Sequence, residues 1–545
     1  MTVIERSRLS ILRLRRKLLE ATFSSPLYKY TLRGRVPKSL RYTPAPNWTG
    51  DEHLGQGILV GQFTFGEDQK IVSVDPWSIE TSSDHELAIL NSFSWLRDLT
   101  AAGDQDAARS RLKTLVSDWI SQNQQWSPIV WRADVLAERI SIWLEHYEQF
   151  FAKSGKSFRG LVIRHLSQQL THLGRVLETE PTGTAKFCAL KGLIYGAICL
   201  PGGDRRLGIL LKKLEQEIDY QILEDGGHIG RSPATHHSVL RTLIEIRNIL
   251  IASQNSPPEA LRNAIDKMAP ALRFYRHQDG GLSQFNGSQE DAAEQLDLTL
   301  IKADARGQPP RRLPYTGYER LLSGRILLLA DTGNPPPFGY DQFAHVGALS
   351  FEASIGRERL VTNCGSIYPD DSSWRTVQRT TAAHSTLSID DRNSSELIEG
   401  GGIGRRRADV SCERRDDDQS LAFVASHDGY QLILGAIHRR EIRVSKEAEI
   451  IEGIDYIEGA EPRIFTIRFH LHPDVSVSAA QGGQSALMKL TKGGGWKFSV
   501  AGGALRIDES IYLGEKKPRR SRQIVIEGET SAGSTEINWS IAAAR

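Results

Sequence analysis

A chain of 545 residues is too long for a single hydrophobic core and should divide into two or three domains. Its apolar fraction of 39%, charged fraction of 25% and net charge of +2 are those of an ordinary soluble protein, and no apolar run reaches bilayer-spanning length. Four cysteines, Cys188, Cys199, Cys364 and Cys412, make no disulfide framework and match no zinc-finger spacing, so reduced buried thiols are expected.

The N-terminus comes first in chain order. Residues 1–43 hold eleven Lys/Arg against two Asp/Glu, so the rest of the chain is net acidic. LSILRLRRKLL breaks its apolar residues with arginines, which leaves no continuous apolar run for a secretory signal. Residues 1–45 therefore read as a basic arm. It suits peripheral contact with a membrane face or an anionic partner, or it is a solvated first helix docking on the body.

Residues 46–305 read as a helical domain. HELAILNSFSWLRDL, AARSRLKTLVSDWI, VLAERISIWLEHYEQFF, FRGLVIRHLSQQLTHLGRVLE, AKFCALKGLIYGAICL, RRLGILLKKLEQEI, HHSVLRTLIEIRNILIA and ALRNAIDKMAPALRFYR repeat apolar residues at helical spacing. Short Gly-, Pro- and Ser-rich breaks separate them, and helix pairs so joined stack into bundles, solenoids or closed toroids. KADARGQPPRRLPYTG (302–317) forms the joint. Residues 315–545 then alternate: RILLLADT, ALSFEASI, RLVTNCG, STLSID, QLILGAIHRREIRV, RIFTIRFHLH, WKFSVAG and RQIVIEGE read as strands of an antiparallel β-sandwich. The fold class is α+β multidomain.

Chemistry concentrates in a few segments. LEDGGHIGRSPATHH (223–237) is a loop opening a helix near Ala234, because its glycine pair and Pro233 exclude regular helix before it. It offers His228, Arg231 and His236 to a cleft, or as caps and packing under the loop. AHVGALSFEASIGRERLVTNCGS and RTTAAHSTLSID (344–366 and 379–390) set His345 and His384 in strand-like surroundings, where they could converge across a sheet. Arg375 and Arg379 in WRTVQRTTAAHS could share one rim by two-residue alternation. Guanidinium groups there would grip carboxylate or sulfate, or keep a strand edge solvated. GRRR (404–407) and RRDDD (414–418) read as solvated turns. No phosphate loop, dinucleotide fingerprint or kinase signature occurs, and GGGIG (400–404) lies in no βαβ unit.

Several of these segments, in order, resemble the heparinase II/III family of polysaccharide lyases. LEDGGHIGRSPATHH is similar to that family's Asp-Gly-x-His…Ser-Pro-x-Tyr-His loop, HQDGGLSQFNGS (277–288) to its next loop, and YTGYERLLSG (315–324) to the first strand of its β-domain. The resemblance implies an (α/α) toroid followed by an antiparallel β-sandwich, and β-elimination on uronic-acid-containing acidic polysaccharide. It implies a substrate contact near the carboxylate for His228 and a metal, usually zinc, at His345 and His384. It places the cell envelope or periplasm as the location, with the cytoplasm as the alternative because no signal peptide is recognisable. No organic cofactor and no nucleic acid are expected.

The sequence departs from the family in three places. Asn363 stands where the family has a metal-binding Asp, and an amide oxygen carries no charge for zinc. Phe343 stands where the family has its catalytic His, and would stack on a sugar face. No Tyr lies between Leu282 and Phe285, and Thr235 replaces the Tyr of the Ser-Pro loop. Elimination needs a neutralised carboxylate, a base and an acid. His228 or His236 would have to serve as base, with Arg231 beside the carboxylate. The alternative is a non-catalytic glycan-binding or envelope-assembly protein on the same scaffold. A glycoside hydrolase is a third reading, with only Glu224 and Asp225 as nearby acids.

Overall fold

The computed structural model describes residues 17–65, 68–71, 75–78, 83–179, 182–367, 372–398, 401–404, 410–459, 461–480, 482–492, 494–515 and 517–544. The first sixteen residues of the basic arm and Arg405–Arg407 of the GRRR turn lie outside them.

The chain divides into two compact units. One comprises residues through Tyr220 with Arg241–Asn263; the other comprises Gln221–Leu240 with Ala264–Arg545. Residues 221–240 and 264–305, expected with the helical domain, thus belong to the same unit as the strands.

The first unit is helical. The periodic segments appear as Gln105–Gln122, Ala133–Glu145, Lys156–Val176, Thr184–Cys199 and Asp204–Gln221. HELAILNSFSWLRDL is two helices, Asp84–Ser92 and Leu96–Ala101, because Phe93 adopts a left-handed conformation (φ 60°) that ends the first. Phe93, Trp119, Trp143 and Phe151 make an aromatic core, with ring centroids of Trp119 and Trp143 5.6 Å apart.

This unit also buries charge. Lys191 Nζ donates to Glu138 (2.6 Å) and to Glu245 (2.5 Å), and Arg97 donates to Glu138 (2.8 Å). Glu145 Oε1 accepts from Asn47 Nδ2 (3.1 Å) and from the Tyr195 hydroxyl (3.0 Å), while its buried Oε2 has no hydrogen-bond partner. Burial and the nearby Glu245 carboxylate push the Glu145 carboxyl up to about 7. Glu138 goes the other way, to about 2, because Lys191 and Arg97 outweigh its own desolvation.

The second unit carries two antiparallel sheets. The first runs in the order Ser476–Ala479, Ser485–Lys489, Gly495–Ala501, Ser534–Ala544, Ile450–Glu458, Ala436–Ser445, Ser420–Tyr430, Val410–Arg414. The other runs Ala504–Tyr512, Arg519–Glu529, Ile464–Leu471, Glu358–Thr362, Phe351–Ile355, Ile326–Asp331, Tyr318–Ser323, Arg312–Leu313, with Leu387–Ile389 paired to Ile464–Leu471. One apolar core joins them: Leu328, Phe351 and Phe469 from one sheet meet Phe423, Trp496 and Trp539 from the other. Phe351 and Trp539 stack at 5.5 Å and 3°. Trp539 fits because its cross-strand neighbour is Gly453, whose Cβ would sit 2.0 Å from the indole.

The segment QLILGAIHRREIRV is not one strand. Gln431–Leu434 form a short helix closed by left-handed Gly435 (φ 68°), and the strand begins at Ala436. Arg414, expected in a solvated turn, instead bonds Glu319 (2.9 Å) and the carbonyls of Arg311 and Arg320.

Candidate functional site

Loop 223–237 is bound to the β-domain strands within its own unit. Asp225 accepts from Gly227 N–H, from the Tyr315 and Thr316 amides (2.8 Å each) and from the Thr316 hydroxyl (2.7 Å). These bonds commit the Asp225 carboxylate to holding the loop, which removes it as one of two hydrolytic acids.

Arg231 sits at φ 53° and only 6% exposed. Its Nε donates to the Thr316 carbonyl (2.6 Å) and Nη1 to those of Asn334 (2.6 Å) and Gly333 (3.3 Å). Nη2 donates to the Gly317 carbonyl (3.0 Å) and forms an ion pair with buried Asp331. The ring of Tyr318 lies 4.9 Å from the guanidinium carbon. Arg231 was expected beside a substrate carboxylate; its donors instead bind the protein.

The two loop histidines are likewise turned inward. Gly230 N–H donates to His228 Nδ1 (3.0 Å), so Nε2 carries the proton and donates to Gln221 Oε1 (3.1 Å). Burial depresses His228 to about 3, and it is 2% exposed. His236 Nε2 donates to the Met268 carbonyl (2.9 Å); its Nδ1 is buried without a partner, and burial holds it near 4. A base needs an open nitrogen within hydrogen-bond reach of its proton. Neither ring offers one in this arrangement, a correction to the roles expected for both.

His345 and His384 do converge, but from loops rather than strands. His345 precedes the strand Phe351–Ile355, and His384 follows a single 3-10 turn, Thr381–Ala383. His384 Nδ1 donates to the Thr380 carbonyl (2.7 Å), which leaves Nε2 to accept from His345 Nδ1 (3.0 Å). Burial keeps both rings neutral: His384 is pushed down to about 4, and His345 falls well below its usual range. Gly347 makes room for the pair, since a Cβ there would lie 2.4 Å from the His384 ring. Asn363 stands one residue's reach away: its Oδ1 accepts from Ser385 N–H (3.0 Å) and its Nδ2 donates to Glu352 (3.1 Å). The amide therefore holds the backbone beside His384.

Three residues that composition and spacing did not single out organise this region. Asn286, left-handed at φ 49°, donates from Nδ2 to the Arg231 carbonyl (3.1 Å) and the Tyr318 hydroxyl (2.9 Å), and accepts from His345 N–H (3.0 Å). It thereby ties loop 223–237 to the His345 loop. Glu352, fully buried, pairs with His277 (2.9 Å) and accepts from the amides of Gln284 and Asn363. Arg440 grips Asp455 bidentately (2.7 and 3.0 Å) and donates to the carbonyls of Leu349 (2.9 Å) and Ser385 (3.0 Å), the residues that follow the two histidine loops. Each would have read as an ordinary polar residue in a loop or strand; only their backbone partners give them away.

Phe343, Arg375 and Arg379 separate into two classes. Arg375 lies in the last turn of the short helix Ser372–Val377, where a strand was expected. Arg379 is 4% exposed and donates to the carbonyls of Ala344 (2.8 Å) and Gly402 (2.8 Å), a structural brace for the loop carrying His345. Phe343 is 47% exposed, and the Arg375 guanidinium carbon lies 5.9 Å from its ring centre. Ring face and cation together suit a sugar bearing negative charge. Left-handed Gly287 (φ 78°) backs Phe343, its missing Cβ falling 3.2 Å from that side chain.

Another convergence lies elsewhere in this unit. Ligand atoms of Glu290, His472 and Glu515 fall within 4.8 Å of one another. Arg359 (3.6 Å) stands against Glu290, and together with His472 and the Tyr512 hydroxyl it lowers that carboxyl to about 2. Arg359 is shared with Asp279, to which it bonds at 2.7 Å.

Residues 305–540 match the family model described as heparinase II/III-like, C-terminal. FtsZ-localized protein C of Caulobacter vibrioides is 27% identical over 526 residues, covering 93% of this chain and 90% of that protein. The solved structure of heparinase III superposes with a TM-score of 0.76 at 14% identity, over 98% of this chain and 92% of its own. Chondroitin AC lyase of Streptomyces coelicolor, solved with chondroitin sulphate, gives 0.55 at 12% identity over 98% and 82%. These likenesses establish the (α/α) toroid and β-sandwich expected from the sequence.

Proposed function

We propose, for a chain whose residues 305–540 belong to the heparinase II/III-like C-terminal family, that it binds a uronate-containing acidic polysaccharide without cleaving it. One observation carries the reading. Arg231 and His228 have turned their donors and acceptors into the fold, while Phe343 stays exposed with the half-buried Arg375 against its ring. Such a site can orient a charged sugar; removal of its weakly acidic C5 proton needs a base that can reach it. The relative's name, which associates that protein with FtsZ, supports a role in envelope assembly over degradation. The basic first 43 residues suit a membrane-side location for such a role.

The scaffold shared with heparinase III supports β-elimination as a second reading. Incubation with a panel of uronate polymers separates the two. The expected result is saturable binding with no rise in ultraviolet absorbance from an unsaturated product, and at least tenfold weaker binding by Phe343→Ala/Arg375→Ala. Turnover that disappears in His228→Ala would replace this reading with the lyase.

Zinc at His345 and His384 belongs to the same proposal. It would take the two facing nitrogens in place of the hydrogen bond they share, with Asn363 Oδ1 as a neutral third donor already holding Ser385 N–H. Two neutral imidazoles and an amide make a weak set for zinc. Metal analysis tests it: stoichiometric zinc lost in His384→Ala supports the metal, and metal-free protein with an unchanged melting temperature in chelator assigns the pair to hydrogen bonding.

A further inference from the structure

The helical unit contains a groove of about 600 Å³ that no catalytic or binding role above accounts for. It is walled by residues 23–36 of the basic arm, by the turn around Trp126, and by one face of the helix Lys156–Val176. Its floor is aromatic. Phe23, Tyr28 and Trp131 are buried there, and Phe23 and Trp126 have ring centroids 5.8 Å apart. Tyr28 is locked by its hydroxyl, which bonds His172 Nδ1 at 2.7 Å. The Trp131 indole N–H donates to the Gln125 carbonyl (3.2 Å), which fixes the turn carrying Trp126.

The rim is cationic and amidic. Lys29, Arg33 and Arg164 line it, together with Asn123, Gln124, Gln125 and Gln168; among the described lining residues none is Asp or Glu. Arg33 and Arg164 are exposed. Burial, with smaller contributions from Arg139 and Arg164, holds the lining His165 down at about 4. Half-buried Trp126 leaves ring surface for a sugar above the buried aromatic floor, side-chain amides match hydroxyl groups in both directions, and cations with no acid among the described lining residues select for carboxylate or sulfate.

We infer that this groove is a second binding site for an acidic saccharide, distant in sequence from Phe343 and Arg375. The inference rests on the acidic-polysaccharide reading above and extends it to two points of attachment on one chain. A polymer engaging both would be held by avidity, since the second contact becomes intramolecular once the first has formed. The concave, aromatic, amide-rimmed surface favours a saccharide over a lipid headgroup, which needs neither a stacking floor nor hydroxyl partners.

Calorimetric titration of the full chain with oligogalacturonate, and with a neutral maltooligosaccharide of equal length, tests the assignment. The expected result is two equivalents of oligogalacturonate per chain, weakened by salt, with little uptake of the neutral sugar. Arg33→Glu/Arg164→Glu should lose one equivalent or weaken it tenfold or more, and Trp126→Ala should weaken the same one. Circular dichroism will report that these surface variants remain folded. Phe343→Ala/Arg375→Ala should lose the other equivalent. If the groove variants bind as the unaltered protein does while the Phe343 variant loses all binding, the groove is overturned and the polysaccharide reading stands. If the unaltered protein takes up no acidic sugar and binds phosphatidylglycerol vesicles through Arg33 and Arg164 instead, both fall.

Discussion

Replacing Arg231 by alanine should destabilise the second unit by roughly 3–5 kcal/mol, the usual cost of removing one partner from a buried ion pair. Three effects combine. The Asp331 carboxylate, buried and already pushed up by desolvation, loses its counter-charge. The carbonyls of Thr316, Gly317 and Asn334 lose a donor, and the face of Tyr318 loses a cation. Arg231→Lys should recover little, because one ammonium cannot reach four carbonyls and a carboxylate from a single position. Urea unfolding monitored in the near-ultraviolet measures this. An Arg231→Ala midpoint within error of the unaltered protein would refute the structural role and return Arg231 to the list of substrate contacts. Adding Asp331→Asn to Arg231→Ala should restore part of the loss, since no charge is then left alone.

Glu145 should draw stability from the helical unit as pH rises from about 4.5 towards 7, while His146, His165 and His172, which burial pushes down to about 4, add stability between about 4 and 6.5. The Glu145 carboxyl is raised to about 7 in the folded state, so across that window the native protein holds a proton that the unfolded chain has released. The slope is bounded by about 1.4 kcal/mol per pH unit for one proton. Glu138 works oppositely. Lowered to about 2, it contributes stability above the unfolded carboxylate range, and that contribution is lost as pH falls towards 2. Three histidines outweigh one carboxyl, so the unit as a whole should gain stability up to about pH 6.5, less steeply than the histidines alone would give. Thermal melts from pH 3 to pH 8 measure this, and Glu145→Gln should steepen the gain between pH 4.5 and 7 while leaving the limb below pH 4 unchanged. A slope between pH 4.5 and 7 that is the same in Glu145→Gln would refute the raised Glu145 carboxyl.

The helices were the most legible part of the chain, because an apolar repeat near 3.6 survives any tertiary detail. Their ends were less so: Phe93 interrupts HELAILNSFSWLRDL through a backbone conformation that a non-glycine residue rarely advertises. The strands were legible where one face is buried. QLIL failed because four apolar residues before a glycine fit a helical turn as well as a strand. The pairing of His345 with His384 was visible in the order of motifs. Their loop setting was not, since a run of small residues such as TTAAHS carries no period. Arg375 and Arg379 are four apart, which alternation and a helical turn satisfy equally. Arg231 reads as a cleft cation, Arg379 as a rim or strand-edge cation and Arg440 as one more charge in an alternating strand, because their main-chain partners leave no pattern in the sequence. A sequence names side chains and is silent about which peptide groups a fold leaves without donors.

Asp225 and Arg231 reach across about ninety to one hundred residues to bind Thr316 and Asp331. During synthesis their loop emerges well before the strands it belongs to, so it waits as an open chain while the intervening residues are made. Closing a loop of that length carries an entropic cost of order (3/2)RT ln n, returned only when the strands Tyr318–Ser323 and Ile326–Asp331 arrive together. Docking of 221–240 is therefore a long-range step that refolding must complete in addition to the zipping of hairpins. A fragment cut at residue 305 begins life with the Asp331 carboxylate already orphaned.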